Sequence, residues 1–179
     1  MCPPIVVAIL RSAQLMATRL LGLPSPTREQ TLSAMQYAIS AGAIVLREGQ
    51  LLLVHHRGEG YDFWVPPGGR LRGEESIFDC AARETLEETG LRVVPQRILY
   101  VEEFVEKTLH FCKFWLLASD PDGHPSVAGR DPDEGFLIDA RFVTQDAMKS
   151  LVVFPRTLHD GFWDDLANGF PHTRYLAAR

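Results

Sequence analysis

Seven residues in the stretch 69–91, GRLRGEESIFDCAARETLEETGL, have types and spacings suited to phosphate and metal chemistry. Gly69, Glu75, Arg83, Glu84, Glu87, Glu88 and Gly90 fit the pattern G-x5-E-x7-R-E-U-x-E-E-x-G-U, where U is a bulky apolar residue. Chance meets all seven fixed positions about once in 10⁸ to 10⁹ start points, so in one short chain the pattern carries information. Carboxylates three and four residues apart are neighbours on a helix surface and repel one another. Arg83, four residues before Glu87, is the cation on the same helix placed to offset that repulsion. Clustered carboxylates offer oxygen ligands to a hard divalent cation such as Mg²⁺, which typically shares its coordination with substrate phosphate oxygens. A bound cation of this kind activates water or clamps a phosphate. A solvated acidic helix face is the alternative for a generic acidic run. The adjoining Gly68-Gly69, where backbone can approach a ligand closely, favours the metal.

Those side chains need a loop that feeds a helix, and the local sequence encodes one. Pro66-Pro67-Gly68-Gly69 is expected to interrupt a strand, because proline removes backbone donors and glycine admits unusual angles. Ser76-Ile77-Phe78-Asp79 has the form of a capping box and starts a helix near Ile77. Gly90 stops it. At about 100° per residue, Ile77, Phe78, Ala81, Ala82 and Thr85 share one face, which places Glu84, Glu87 and Glu88 on the other.

The box residues resemble those of the Nudix hydrolases, which cleave nucleoside diphosphates linked to another moiety. The resemblance covers the 23 residues 69–91 closely and the stretch 36–150 more loosely. It implies an α/β fold, an α/β/α sandwich around a mixed β-sheet, with the box as a loop–helix–loop that binds Mg²⁺, or Mn²⁺ as a substitute. Glu84 and Glu88 would be the principal metal ligands, Glu87 a ligand or a water-mediated partner, and Gly68 a source of a backbone carbonyl. Arg83 would orient Glu87, and Glu75 would support the loop. Water would attack phosphorus while charge on the bridging oxygen is stabilised. The box leaves the general base open. Glu134, in DPDEGFLIDARFV, is the candidate, with Asp133 and Asp139 as alternatives and an exposed acidic loop as the competing reading.

Three positions depart from the usual pattern. Thr85 stands where a bulky aliphatic residue is common, Arg72 where many members carry glutamate, and Glu74 where glycine is frequent. The loop around Arg72 therefore differs in shape or in its affinity for phosphate. Tyr61 and Phe63 are candidates to stack on a base, whereas Trp64 suits packing. His55, His56 and Arg57 end a strand near the same loop, and Arg57 is a candidate phosphate contact.

The 179 residues, 46% of them hydrophobic, suffice for one well-buried core. Strands are expected at 37–47 and 51–56, joined by Glu48-Gly49-Gln50, and at 96–104, 109–118 and 140–143. A long polar loop fills 119–135, Thr144 caps a helix over 145–151, and Pro155 opens a helix towards Ala167. Three cysteines without CxxC spacing indicate neither a zinc site nor a disulfide framework, which suits a reducing cytoplasmic compartment. A net charge of −5 argues against a nucleic-acid surface.

Residues 1–34 lie outside the pattern of the domain at 35–179. The first 28 contain three arginines and no acid, with apolar residues at helical spacing, so an appended amphipathic N-terminal helix or a non-native upstream segment is expected. The longest unbroken apolar run, residues 5–10, is too short to span a bilayer. A homodimer is left open. The partner expected is a small nucleotide-type molecule, a triphosphate or a nucleotide sugar. The rival reading is a catalytically silent nucleotide-binding or regulatory module of the same fold.

Overall fold

A hairpin opens the fold, because Glu48 and Gly49 both take positive φ (49° and 73°) and so turn the chain between two apolar strands. In the computed structural model, residues 36–106, 109–119, 121–129 and 135–177 are described. The N-terminal segment 1–34 and Glu134 lie outside them. The strands are β1 (Gln36–Arg47), β2 (Gln50–Gly58), β3 (Tyr61–Val65), β4 (Gly68–Arg70), β5 (Pro95–Glu106), β6 (Leu109–Ala118), β7 (Leu137–Thr144) and β8 (Arg174–Leu176). The helices are α1 (Ile77–Thr89), α2 (Gln145–Met148), α3 (Thr157–Asp160) and α4 (Phe162–Ala167).

The strands form a mixed sheet in the order β3-β2-β1-β6-β5-β8, with β4 also paired to β1 and β7 to β2. β1 and β2 pair only at their turn, Leu46 with Leu51 and Arg47 with Gln50, so the sheet splits there into two halves. One half runs β4-β1-β6-β5-β8, parallel at β1/β6 and β5/β8. The other is the antiparallel set β3-β2-β7. Two apolar clusters fill the layers. Ala41, Ala43, Val45, Leu52 and Leu116 pack against Cys80 and Ala81 of α1. Ile44, Leu53, Tyr100 and Trp115 pack with Leu158 and Phe162 from the C-terminal helices. This is the expected α/β/α sandwich around a mixed sheet.

Several expectations are corrected. Pro66 and Pro67 do end β3, but Gly68–Arg70 then pair with β1 as a short strand, Gly68 opposite Gly42 and Gly69 opposite Ala41. The helix after Thr144 ends at Met148, and the helix expected to run on to Ala167 is split at Gly161. The strands β3 and β8 have no counterpart in the expected set. Hydrogen bonds from Trp64 N to Val152 O (2.7 Å) and from Phe154 N to Trp64 O (2.9 Å) lay the C-terminal chain along β3. No helix among the described residues is long and apolar enough to cross a membrane.

α1 begins as the capping box dictates. Ser76 Oγ accepts from Asp79 N, and the Asp79 carboxylate accepts from Ser76 N. At the other end Gly90, at φ 72°, lets its N–H reach Leu86 O. Ser76→Ala removes the side-chain acceptor at the start of α1 and should cost about 1 kcal/mol of stability, read as a lower denaturant midpoint with unchanged slope.

Candidate active site

The guanidinium of Arg83 joins the loop to the helix. Nε and Nη2 donate to the two oxygens of Glu75 at 2.9 and 2.6 Å, Nη1 donates to Glu84 at 2.6 Å and to Glu87 at 3.0 Å, and Nη2 also reaches Arg70 O at 3.1 Å. One planar donor set thus engages three carboxylates and a carbonyl, which is the geometric reason arginine serves here and lysine would not. Glu75 accepts a further bond from Arg72 N at 2.6 Å, which closes the loop 72–75. Arg72 donates through both terminal nitrogens to Glu87, at 3.0 and 3.1 Å, so the helix carboxylates are offset by a loop cation as well as by Arg83.

The face assignment of α1 is also corrected. The buried stripe runs through Cys80, Ala81, Glu84, Thr85, Glu88 and Thr89, while Phe78 is exposed. Glu84 and Glu88 are each only 6% exposed, so two of the acids belong to the packed face and Glu87 alone turns outward. Thr85 fits this stripe because its hydroxyl bonds Ala81 O at 2.7 Å and needs no other partner. Burial holds the Glu84 carboxyl above the usual carboxylate range, against the pull of Arg83. Glu75 is held below that range by its bonds to Arg83. Burial pushes the Cys80 thiol up to about 12, which marks it as a packed residue, its Sγ 3.4 Å from Gly69 O.

The glycines of β4 make room for these acids. A Cβ on Gly69 would stand 2.5 Å from the Glu84 carboxylate, and one on Gly68 would stand 2.4 Å from Ala41 O. Gly68 also has φ 155°, and its N–H donates to Glu88 at 2.9 Å. Among the described residues no three His, Cys, Asp or Glu groups converge as a ready cluster, since the arginines engage Glu75, Glu84 and Glu87 in this arrangement. The donor chemistry fits a hard divalent cation all the same. Buried carboxylate oxygens beside glycine backbone are the ligand type such an ion takes, and a cation would relieve the burial of Glu84.

The other expected site residues are dispersed. Arg57 is ion-paired to Asp62 at 2.7 Å and, with His55, Trp64, Asp139 and Arg141, lines a cavity of about 680 Å³ on β2, β3 and β7. Asp139 lies 3.5 Å from Arg141 there. Tyr61 is partly buried over Gly58, and Phe63 is 3% exposed, stacked on His56 with its ring centre 5.2 Å away, so Phe63 offers packing rather than an open stacking face. Trp64 is buried in the core. Burial and the nearby Lys113 charge bring His56 down to about 3, so it is neutral.

One residue with no expected role stands within reach of the box acids and is tied to two others on the sheet. Lys113 on β6 lies opposite Glu102 on β5, within electrostatic reach of Glu88 and Glu84, and its ammonium sits 4.2 Å from the Trp115 ring centre. Trp115 Nε1 donates to Glu102 at 2.8 Å. The available signal was a lysine inside the aromatic strand HFCKFWLLA, where a charge needs a partner.

A family model described as NUDIX domain matches residues 36–161. A phosphatase of Escherichia coli strain K12, NudJ, is 31% identical over 67 residues, which cover 37% of this chain and 44% of that protein. The matched stretch is thus less than half the length of that relative. A NUDIX hydrolase structure from Nitrosomonas europaea aligns with TM-score 0.61 at 22% identity, over 79% of each chain. A MutT NUDIX hydrolase structure from Burkholderia pseudomallei aligns with TM-score 0.57 at 23% identity, over 71% of this chain and 98% of that one. At these identities the structures speak for the fold.

The opposite shifts of Glu84 and Glu75 give opposite stability effects. A carboxyl raised by burial disfavours the fold once it ionises, so Glu84→Gln should raise the metal-free unfolding midpoint at pH 7, and the gain should vanish as pH falls below the carboxylate range. A carboxyl lowered by Arg83 contributes stability above its unfolded pKa and loses it as pH falls through the folded value. Glu75→Gln should therefore cost about 1.5–3 kcal/mol at pH 7 and progressively less in acid. Denaturant titrations at several pH values check both signs.

Proposed function

The chain belongs to the NUDIX hydrolase family, and from that premise we propose that it hydrolyses the diphosphate linkage of a nucleotide or nucleotide derivative by attack of water at phosphorus. The observation that carries this reading is the pair Glu84 and Glu88, ionisable groups buried against Gly68-Gly69 where hydrophobic side chains would pack better. Glu84 and Glu88, with Glu87 and the Gly68 carbonyl, would hold Mg²⁺ or Mn²⁺, which when bound supplies charge neutralisation for phosphate and a lowered pKa for water.

The chain's own residues do the positioning. Arg83 fixes Glu84 and Glu87 through one guanidinium, and the Gly68 N–H fixes Glu88. Preorganised groups of this kind need not reorganise as charge develops in the transition state. Water adds to phosphorus, the bond from that phosphorus to the bridging oxygen breaks, and the water proton passes to a general base. Glu134 is the proposed base, acting from the acidic segment before β7. The freed bridging oxygen leaves on the second phosphate. Triphosphates and nucleotide sugars both satisfy this scheme, and recognition of the nucleoside belongs to residues outside the box.

The test is a panel of nucleoside triphosphates, ADP-ribose, nucleotide sugars, dinucleoside polyphosphates and NADH, run with Mg²⁺ and with products separated. Wild type should cleave at least one of them, chelation should abolish turnover, and activity should rise towards alkaline pH. Glu88→Gln and Glu84→Gln should each lower kcat by about 10²-fold or more while the fold persists. Turnover that survives excess chelator sinks the scheme. No turnover, with a thermal shift from one nucleotide, would instead identify a silent binding module.

A further inference from the structure

One row of side chains crosses the larger half-sheet without being used by the scheme above. Register places Arg70 on β4 opposite Ser40 on β1, Ser40 opposite Lys113 on β6, and Lys113 opposite Glu102 on β5. Directly opposed residues point to the same face of a sheet, so the four form a polar line. Aromatic rings flank it. Trp115 lies on one side, its ring over Gly42, where a Cβ would come within 2.6 Å. Phe111 lies on the other, with the Arg70 guanidinium 5.8 Å from its centre.

Two members of this row have buried polar atoms without a partner, Ser40 Oγ and Arg70 Nε. Ser40 is 0% exposed. Buried polar groups in folded proteins are nearly always hydrogen-bonded, so each orphan calls for an explanation. The row's donors outnumber its acceptors: an arginine, a hydroxyl and a lysine stand against one carboxylate, and Glu102 is already bonded to the Trp115 indole. Lysine and arginine have no acceptor capacity, so the complementary ligand is an anion rich in acceptor oxygens. The row also adjoins the box acids. The Gly68-Gly42-Trp115 row lies next to it, and Gly68 is the residue bonded to Glu88. Burial pulls the Lys113 pKa down, and the fields of Glu88, Glu102 and Glu84 oppose that pull.

We propose that Lys113, Ser40 and Arg70 form a subsite for phosphate oxygens of the substrate's diphosphate, with Lys113 as its principal charge and the Glu102–Trp115 pair positioning it. The inference rests on the hydrolase reading given above. Lys113 faces the box acids when no diphosphate is present and turns its ammonium to the phosphate when one binds. Removing its charge therefore weakens diphosphate binding while leaving the carboxylates free to take a cation.

The experiment is isothermal titration of the full-length chain with Mg²⁺ alone, and then with methylenediphosphonate in saturating Mg²⁺, a probe whose P–C–P bridge water does not cleave. Lys113→Gln should weaken diphosphonate binding by about tenfold or more, and Ser40→Ala by a few-fold, with Mg²⁺ affinity unchanged or higher. Lys113→Arg should stay close to wild type, which separates loss of charge from loss of packing. Wild-type affinity in both Lys113→Gln and Ser40→Ala overturns the proposal. So does a wild type that binds Mg²⁺ but not the diphosphonate, and so does a loss of Mg²⁺ affinity in Lys113→Gln that parallels the loss of diphosphonate. Failure of wild type to bind Mg²⁺ at all would instead remove the hydrolase reading on which the subsite stands.

Discussion

The engagement of Arg83 with Glu75, Glu84, Glu87 and the Arg70 carbonyl is the constraint on which the rest of the site depends. Without a cation the α1 carboxylates would repel along one face, and two of them are buried where that repulsion is least screened. A guanidinium in their midst lets α1 keep its acidic stripe, pulls the loop 70–75 onto the helix, and sets where β4 can lie. β4 in turn must be glycine at two positions, because the Glu84 carboxylate and the Ala41 carbonyl fill the space that side chains would need. Helix, loop and edge strand are thus determined together by one residue's hydrogen bonds.

The elements most legible in the sequence are those whose determinants are local. Ser76 and Asp79 announced the start of α1 and Gly90 its end, and Glu48-Gly49 marked the first turn, because caps and turns are decided within four residues. The spans of β1, β2 and β6 were legible as well, falling close to the expected 37–47, 51–56 and 109–118. The short strands were not. β4 consists of Gly68, Gly69 and Arg70, with no side-chain pattern to read, and it exists because β1 offers Ala41 and Gly42 as close partners. β8 forms only against Tyr100, Val101 and Glu102, more than 70 positions away.

The site was legible in its residues and less so in its exposure. Spacing picked out Glu84, Glu87, Glu88 and Arg83, yet periodicity treats every carboxylate as solvent-seeking and so placed Glu84 and Glu88 on the wrong face. A buried acid is a local disagreement with the rules of packing, of the kind that functional sites retain. The second arginine, Arg72, stood out as a departure from the family pattern, and the structure gives it Glu87 as its partner. Lys113 was invisible as a neighbour of the box because its relation to Glu102 and Ser40 passes through strand register, which no reading of a single segment supplies.

The close approach of Trp115 to Gly42 bears on how this lineage can change. A methyl group at 42 and an indole at 115 cannot coexist without displacement, since the nearest ring carbon would be 2.6 Å away. A smaller residue at 115 has to come first, and it also removes the indole that holds Glu102. Shrinking 115 does not by itself open position 42, because the same methyl group would stand 2.9 Å from the Pro67 carbonyl oxygen, so glycine at 42 is held by a ring on one side and by backbone on another. Homologues should therefore keep glycine at 42 even where 115 is no longer tryptophan.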